Sequence, residues 1–375
     1  MEITGRSGDH WFKITNSSEI PSPALLVYPG RIKSNIQIMI EMAGNVSRLR
    51  PHVKTYKMAG IIRLQMDQGI NKFKCATISE AEMTAECGVK DILIAIQQVG
   101  PNLKRLFQLM LKYPDAKISC IADCEKVINE LSQLAVETGM KTNVWLDINN
   151  GMNRTGIPPG EEAIRLIKKI TGVPGLKAEG LHVYDGHIHE KDLSKRKKIC
   201  DELFIPVEKL LDELKLSGIK DLKIVAGGTP TFPVHALRKD VDCSPGTILL
   251  WDYGYATSFP DMKFLYAAVL LNRVISKPAD DLICIDLGYK AVASEMQQPR
   301  ITILNLDNYS IIGQSEEHMV IRTKNAGNLN IGDELYSVPW HICPTVDRYE
   351  NVSVVNNNKV TGQWNVVARK RKISI

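Results

Sequence analysis

Short apolar segments alternate with longer amphipathic segments along the chain from about residue 24. The amphipathic segments, such as "PNLKRLFQLMLKY" and "EKVINELSQLAVETG", carry apolar residues at every third or fourth position and predict helices. The apolar segments predict strands, namely "ALLVY", "LRPHVKT", "FKCAT", "DILIAI", "AKISCIAD", "TNVWLDI", "LKAEGLHVY", "DLKIVAGG" and "GTILLW". Strands that alternate with helices indicate a parallel sheet.

The number of predicted strands favours a closed barrel. Counting from "LRPHVKT" gives eight strands, and eight parallel strands with their helices occupy roughly 250 residues in such a barrel. The predicted fold class is therefore α/β, with a TIM-type (β/α)8 barrel over residues 22–255.

The helical periodicity is lost after residue 260. Segments such as "FLYAAVLLNRVISK", "HMVIRTKNAG" and "GDELYSVPW" predict strands joined by turns of Gly, Asn and Asp. Residues 256–375 are therefore predicted to form a C-terminal β domain, joined by the N-terminal segment 1–21.

Composition and charge restrict the partners of the protein. The chain of 375 residues is 44% hydrophobic and 24% charged, which is typical of a soluble globular protein. Its net charge of +5 comes from basic residues that are interleaved with acidic ones, and we interpret the terminal "RKRKISI" as a solvated tail. No nucleic-acid partner is predicted. Neither a membrane-length apolar run nor a signal-peptide pattern is present, so no membrane partner and a cytoplasmic location are expected.

Two loops late in the barrel have the composition of phosphate-binding turns. "AGGTPT", with Gly227, Gly228 and Thr229, follows the predicted seventh strand, and "DCSPGT", with Gly246 and Thr247, enters the predicted eighth. Glycine lets backbone N–H groups approach an anion, and phosphate is commonly held at this end of a barrel. Each loop alone is also an ordinary turn, so it is their joint placement that favours phosphate.

A candidate metal site lies in "VPWHICPT" of the β domain. On an extended strand His341 and Cys343 would face the same side, where imidazole and thiolate could bind one cation. This pair of ligands favours zinc over magnesium. The alternative is a buried cysteine beside a surface histidine, since a structural zinc site needs four ligands.

Polar residues also gather at the predicted barrel rim. "LHVYDGHIH" ends the sixth strand with Tyr184 and His187, and a histidine at that position is either a general base or a structural hydrogen-bonding group. "NNGMNRTGI" carries Arg154, which could hold a phenolate or carboxylate or cap a helix. Lys54, in "LRPHVKTYK", falls at the end of the predicted first strand, where a lysine can form a Schiff base.

Seven ordered motifs together resemble one protein family over nearly the whole chain. "LRPHVKTYK", "GMNRTGI", "YDGH", "AGGTPT", "SPGT", "SEEH" and "HICPT" are similar to segments of the D-threonine aldolase and eukaryotic-type D-serine dehydratase family. That family belongs to the alanine-racemase-like, fold-type III pyridoxal-phosphate enzymes. The resemblance implies a barrel followed by a β domain, pyridoxal 5'-phosphate, a divalent metal (zinc, manganese or magnesium) and a homodimer.

The resemblance also implies roles for individual residues. Lys54 would be the Schiff-base lysine, Arg154 would contact the phenolic oxygen of the cofactor, and Tyr184 would lie beside its ring. Its phosphate would be held by Gly227, Gly228, Thr229, Gly246 and Thr247. His341 and Cys343 would bind the metal near an amino-acid substrate.

Four positions depart from the family pattern. The family usually has histidine at Tyr56, often an acid at Asn149 and commonly glycine at Met319. Cys343 stands where aldolases tend to have aspartate and dehydratases cysteine, whereas "YDGH" looks like the aldolase form, in which His187 would be the base.

The resemblance therefore implies a lyase that cleaves D-β-hydroxy-α-amino acids such as D-threonine to glycine and an aldehyde, with Lys54 and His187 as catalytic residues. The alternative is a D-serine dehydratase that forms pyruvate and ammonia, in which Lys54 removes the α proton. An amino-acid racemase is less favoured, because no second acid/base group is singled out. A non-catalytic pyridoxal-phosphate carrier is disfavoured by the β domain, which such carriers lack.

Overall fold

The structure is a computed structural model that describes residues 10–375, and it divides into two compact units. The β unit runs through Ile38 and also contains Thr55–Ile61 and Thr247–Val367. The barrel unit contains Met39–Lys54, Ile62–Gly246 and Ala368–Ile375. The domain division at residues 255 and 256 stays a prediction, and the N-terminal segment 1–21 lies partly outside the described residues.

Strands and helices alternate along much of residues 10–375. The strands are β1 (Ala24–Val27), β2 (Lys72–Cys75), β3 (Asp91–Ile94), β4 (Lys117–Ala122), β5 (Thr142–Ile148), β6 (Leu176–Val183), β7 (Lys223–Ala226), β8 (Val241–Cys243), β9 (Ala268–Ala279), β10 (Leu282–Ile285), β11 (Ile301–Ile303), β12 (Tyr309–Gln314), β13 (Met319–Thr323), β14 (Glu334–Pro339), β15 (Asn351–Asn356) and β16 (Lys359–Asn365). The helices are α1 (Pro29–Ala43), α2 (Ala59–Met66), α3 (Ile78–Glu86), α4 (Pro101–Lys112), α5 (Glu125–Thr138), α6 (Glu161–Gly172), α7 (Leu193–Leu216), α8 (Phe232–His235), α9 (Tyr253–Ser258) and α10 (Ile342–Val346). None of the helices in the described part of the chain has the length and apolar character needed to cross a membrane.

Local sequence explains where several helices begin and end. Thr77 caps α3 by accepting a hydrogen bond from the N–H of Glu80, whose carboxylate in turn accepts from the N–H of Ala76. Pro101 opens α4, where its missing N–H costs no helical hydrogen bond. Gly139 ends α5 with φ of 66°, a left-handed conformation that glycine adopts without a Cβ penalty.

The barrel unit confirms the predicted α/β class with a parallel sheet. Seven strands of the described chain, β2 to β8, pair in chain order. Residues 49–52 lie between the two edge strands: Leu49 forms a parallel bridge with Cys243, and His52 forms one with Lys74. This segment takes the place of the eighth strand and closes the ring.

Two of the eight predicted barrel strands are wrong. "LRPHVKT" forms only the two bridges before Val53–Thr55 turn into a 3-10 helix, because Pro51 has no N–H to donate to a ladder. "GTILLW" begins as the 3-10 helix Thr247–Leu249. The strand after β7 is instead β8, whose three residues are too few to show a periodicity.

The β unit contains a sheet in the order β12-β13-β10-β9-β1-β15-β16, with β14 paired to β9 and β11 paired to β14. β1 pairs antiparallel with β9 and parallel with β15, so it belongs to this sheet although its apolar sequence would also suit a barrel strand. β15 and β16 are joined by Asn357 and Asn358, whose φ values of 48° and 57° are typical of a two-residue hairpin turn.

Candidate active site

Lys54 lies where the segment that closes the sheet ends. It occupies the middle of the 3-10 helix Val53–Thr55, its side chain is exposed, and its N–H donates to Nδ1 of His52 at 3.3 Å. Lys54 therefore lies on a turn and not at the end of a strand as predicted, and His52 precedes that turn. Both residues nevertheless line one cavity.

This cavity, which lies in the barrel unit, has a volume of about 390 Å³. Among the described residues 10–375, three that line the cavity are Lys or Arg and none is Asp or Glu. The lining residues are His52, Lys54, Lys74, Ala76, Ala95, Ile96, Gln97, Ile121, Arg154, Thr155, His182 and Tyr184. A volume of this order is typical of small-molecule sites. The charge of the wall favours an anionic ligand.

Lys74 is the buried cation of this wall. It lies on β2 with 2% of its surface exposed, and its Nζ is 5.5 Å from the centre of the Tyr184 ring. Burial and the neighbouring charge of Lys54 lower the pKa of Lys74 to about 7, although Asp185 and Asp147 act in the opposite direction.

A buried Asp–His pair stands behind the cavity. Asp147 on β5 and His182 on β6 are register partners, and Nδ1 of His182 lies 2.7 Å from a carboxylate oxygen of Asp147. Burial alone would raise the pKa of Asp147, but the hydrogen bond and charge of His182 lower it. Burial lowers the pKa of His182 despite Asp147. The aspartate is thus ionised and the imidazole neutral at pH 7, with Nδ1–H as the donor.

Nε2 of His182 is buried and has no hydrogen-bond partner within the described chain. The imidazole of His52 is also neutral at pH 7, because burial and the charges of Lys74 and Lys54 hold its pKa well below the usual value. Two of the residues that line the cavity, His52 and His182, are therefore neutral imidazoles.

Arg154 reaches the cavity from the loop after β5. Its guanidinium carbon lies 4.9 Å from the centre of the Tyr184 ring, a cation–π distance. The loop is fixed by hydrogen bonds from the N–H of Ile157 to the carbonyl of Asp147 and from the N–H of Gly156 to the carboxylate of Asp123. A Cβ at Gly156, where φ is 85°, would lie 2.7 Å from the backbone N of Asn149. Only glycine suits this position.

The two glycine turns predicted to hold phosphate meet in the barrel unit. Gly227 follows β7 with φ of 73°, and the N–H of Gly246 donates to Oγ1 of Thr229 at 3.3 Å. A Cβ at Gly228 would lie 3.0 Å from the Tyr184 ring, so glycine at this position lets the backbone of the turn approach the ring closely. Thr247 follows Gly246 in the chain and starts a 3-10 helix of the β unit.

Asp185 holds the first of these turns from behind. Its fully buried carboxylate accepts a hydrogen bond from Thr231 Oγ1 at 2.6 Å and lies 2.7 Å from Nε2 of His235. Thr231 Oγ1 in turn accepts from the N–H of Gly228 at 3.3 Å. Asp185, Cys200 and His235 lie close enough together to ligate a cation, but these hydrogen bonds already account for the carboxylate, which positions the turn.

His187 is not among the residues that line the cavity. It is half-buried beside Gly151, where an added Cβ would lie 3.2 Å from Nε2 of His187. Its Nδ1 is buried without a hydrogen-bond partner in residues 10–375. The catalytic role predicted for His187 stays a prediction.

The structure brings His341 and Cys343 together in the β unit, though not on a strand. β14 ends at Pro339, His341 precedes α10 and Cys343 lies within it, so the predicted extended geometry is wrong. Burial alone would lower the pKa of His341, but hydrogen bonds with Cys343 and Glu295 raise it to about 9. The Cys343 thiol also lies 3.1 Å from Oγ1 of Thr55, the residue after Lys54 in the chain.

The residues present fit both groups that the resemblance implies. A cavity with cations, an aromatic ring, an unpartnered ring nitrogen and converging glycine turns suits pyridoxal phosphate, which carries a phosphate and a phenolic oxygen on an aromatic ring. Imidazole and thiol suit a divalent metal such as zinc. Nδ1 of His341 bonds to the Glu295 carboxylate, an arrangement that orients metal-binding histidines.

Sequence reasoning missed Lys74, the Asp147–His182 pair and Glu295. Lys74 and His182 alternate with apolar residues in "KFKC" and "LHVY", and this alternation is the only signal that they point away from the helices. No local pattern connects Glu295 with His341, which is 46 positions further along the chain.

Comparison with known proteins places this site in a family. Residues 27–253 match the family described as alanine racemase, N-terminal domain, and residues 267–355 match a putative serine dehydratase domain. Similar proteins include D-threonine aldolase of Arthrobacter sp (26% identical, 94% of this chain and 93% of that protein) and 3-hydroxy-D-aspartate aldolase of Paracoccus denitrificans strain Pd 1222 (27% identical, with the same coverage). The crystal structure of D-threonine aldolase from Filomicrobium marinum is 26% identical, covers 94% of this chain and 96% of its own, and superposes with a TM-score of 0.87. The chain therefore belongs to the alanine racemase N-terminal domain family, which has a pyridoxal-phosphate-dependent fold, and within it resembles D-threonine and 3-hydroxyaspartate aldolases and dehydratases.

Proposed function

We propose that this protein is a pyridoxal-phosphate- and metal-dependent lyase that cleaves D-β-hydroxy-α-amino acids between Cα and Cβ, giving glycine and an aldehyde. The observation that carries the proposal is the cationic cavity beside Lys54. It occurs in a chain that resembles aldolases over 94% of its length.

The proposed roles divide between the two units. In the barrel unit Lys54 would carry the cofactor, Arg154 would bind its phenolic oxygen, and Tyr184 would lie beside its ring. The phosphate would bind the glycine turns, through Gly227, Gly228, Thr229 and Gly246 of the barrel unit and Thr247 of the β unit. When bound, pyridoxal phosphate supplies an electron sink for the electron pair released at Cα.

In the β unit, His341 and Cys343 would hold a divalent metal, which supplies a Lewis acid that favours ionisation of a hydroxyl group. His187 would take the proton of the substrate β-hydroxyl, directly or through water, as that oxygen becomes the aldehyde carbonyl.

The alternative is a D-serine dehydratase. The match of residues 267–355 to a putative serine dehydratase domain favours it, as does Cys343. Lys54 would then remove the α proton, and hydroxide would leave Cβ, so that the products are pyruvate and ammonia. This reaction does not need a base at the hydroxyl.

Product analysis distinguishes the two reactions. Purified protein supplied with pyridoxal phosphate and Zn²⁺ or Mn²⁺ is incubated with D-threonine, D-serine and, as a control, L-threonine. We expect glycine and acetaldehyde in equal amounts from D-threonine only, and a loss of turnover after chelation that added metal restores. Pyruvate from D-serine without glycine from D-threonine would show that the aldolase proposal is wrong.

A second experiment identifies the lysine that carries the cofactor, because the cavity has two. Borohydride reduction fixes the bond between lysine and cofactor, and peptide mapping then locates it. We expect the label on Lys54 in the unaltered protein and in Lys74→Met, and no label in Lys54→Ala. A label on Lys74 would contradict the proposed role of Lys54.

A further inference from the structure

Lys74 is a second amine on the cavity wall for which the proposed reaction has no use. Its side chain is nine-tenths or more buried, with 2% of the residue surface exposed, and it lines the cavity. Among the described residues no carboxylate lies within ion-pair distance of its Nζ, which lies 5.5 Å from the centre of the Tyr184 ring.

Other lysines on these strands have carboxylate partners. Lys72, two residues earlier on β2, forms an ion pair with Asp242 at 2.7 Å. Lys117 and Lys223 both pair with Glu179, at 2.5 and 2.8 Å. Among the lysines of β2 to β8 in the described chain, Lys74 and Lys177 have no such partner, and of these two only Lys74 is buried.

The acids nearest to Lys74 are held by other groups. Asp147 is hydrogen-bonded to His182, and Asp185 lies against Thr231 and His235. Both raise the pKa of Lys74 through their charge but neither contacts its Nζ. An ammonium that is buried without a hydrogen-bonded partner is costly, and a ligand anion that contacted it would remove that cost.

The roles of the other cationic groups in the cavity restrict which ligand group Lys74 can bind. Under the proposed function, on which this inference rests, Lys54 is used by the cofactor, Arg154 by its phenolic oxygen and the glycine turns by its phosphate. The anionic groups left over are the carboxylates of the amino-acid substrate. Carboxylate–ammonium hydrogen bonds are among the strong polar contacts in proteins.

We propose that Lys74 is a carboxylate-binding residue of this cavity, which holds a carboxylate of the substrate without a covalent bond. Two sources of that group are distinguishable, the α-carboxylate that all amino acids carry and the side-chain carboxylate of an acidic one. If Lys74 binds the side-chain carboxylate, it makes the enzyme selective for dicarboxylic substrates over D-threonine.

Binding of non-cleavable analogues tests the proposal without turnover. Isothermal titration calorimetry with D-alanine, which has one carboxylate, and D-aspartate, which has two, is carried out on the protein reconstituted with pyridoxal phosphate. The variants are Lys74→Met, Lys74→Gln and Lys74→Arg, and the matched control is Lys72→Met, which removes an amine from the same strand outside the cavity. Removal of one charge-assisted hydrogen bond is expected to weaken binding about 10- to 100-fold.

Two outcomes support the proposal and separate the two sources. Weaker binding of both amino acids by Lys74→Met and Lys74→Gln assigns the α-carboxylate. Weaker binding of D-aspartate alone assigns the side-chain carboxylate. In either case Lys74→Arg should keep more affinity than the uncharged variants, and Lys72→Met should bind as the unaltered protein does.

Unchanged dissociation constants, within about twofold, in both uncharged variants would overturn the proposal. So would a weakened affinity for pyridoxal phosphate alone, measured by absorbance titration, because Lys74 would then serve the cofactor. Calorimetry measures the heat of binding and not the formation of product, so these results do not depend on the assays with D-threonine and D-serine. Failure of the lyase proposal would appear in those product assays and is therefore distinguishable from failure of the proposal for Lys74.

Discussion

The two lysines that line the cavity differ in chemistry because one is exposed and the other is buried. Lys54 is exposed on a 3-10 helix, whereas Lys74 is buried on β2, and both face the same space. Judged by its pKa alone, Lys74 resembles the nucleophilic lysines of other enzymes, because a lowered pKa leaves a larger fraction of the side chain as the free amine. The family motif points to Lys54 instead. We conclude that the two amines have different tasks, one covalent and one electrostatic.

Lys74→Met should stabilise the protein below neutral pH. The pKa of Lys74 is about 7 in the folded state and about 10.5 in the unfolded chain, so the unfolded chain binds the extra proton between these values. Stability of the unaltered protein must then rise with pH across this range, and the cost of a buried ammonium is full below pH 7. The variant lacks that cost, up to about 5 kcal/mol, and should gain most at pH 6 and little near pH 10.

Thermal midpoints at pH 6, 8 and 10 test this expectation. Lys72→Met serves as the control, because it keeps Lys74 and should follow the pH profile of the unaltered protein. The charged and titratable neighbours of Lys74 are Lys54, Arg50, Asp147, Asp185, His52 and His182, and all are the same in both variants. Parallel pH profiles for Lys74→Met and the unaltered protein would refute the lowered pKa.

Elements place residues together that the sequence separates. The parallel register of β5 and β6 sets Asp147 directly opposite His182, and the loop after β5 then brings Arg154 over the Tyr184 ring at the end of β6. Geometry at this rim therefore depends on how the loop 149–157 is anchored, and Gly156 is its tightest point.

Gly156→Ala should disturb the rim without removing any polar group. The added Cβ would lie 2.7 Å from the backbone N of Asn149 at a φ of 85°, and backbone atoms cannot move aside as a side chain can. We expect a loss of about 1 to 3 kcal/mol in stability. Affinity for pyridoxal phosphate, measured by absorbance titration, should fall several-fold because Arg154 is displaced.

Gly160→Ala is the matched control for that substitution. Gly160 lies just before α6 with φ of 171°, an extended conformation open to any residue, and an added Cβ there meets nothing within 4 Å. It should bind the cofactor as the unaltered protein does. Equal affinities for all three proteins would mean that the loop geometry does not matter for binding.

Periodicity in the sequence was sufficient to predict strands β2 to β7, because each is a distinct apolar run followed by a turn signal or a helix. It failed at "LRPHVKT" and at the three-residue β8, where pairing is decided by neighbouring strands and not by local composition. The motifs predicted cofactor-binding roles for Arg154, Tyr184 and the glycine turns, which stay predictions, and in the structure the Tyr184 ring lies close to Arg154 and to Gly228. Lys74 escaped notice because a single lysine in a strand carries no signal of whether its partner is an acid or a cavity.

At the scale of the whole molecule, the candidates for the cofactor ring and the candidates for the metal lie in different units, although one phosphate-binding candidate, Thr247, belongs to the β unit. Lys54, Arg154, Tyr184 and the glycine turns through Gly246 belong to the barrel unit, whereas His341, Cys343 and Glu295 belong to the β unit. No residue among the candidates for the cofactor ring is also a candidate metal ligand. Loading of pyridoxal phosphate and loading of metal should therefore be separable.

Crossed variants test that separation. Cys343→Ala should lose metal, measured by elemental analysis, because an imidazole alone is a weak ligand, and it should keep the absorbance of bound cofactor. Lys54→Ala should lose that absorbance and keep the metal. Both should lose at least about 100-fold in D-threonine turnover if the reaction needs both groups. Loss of cofactor in Cys343→Ala, or of metal in Lys54→Ala, would mean that the two sites fold or bind as one, and the division of roles between the units would then be wrong.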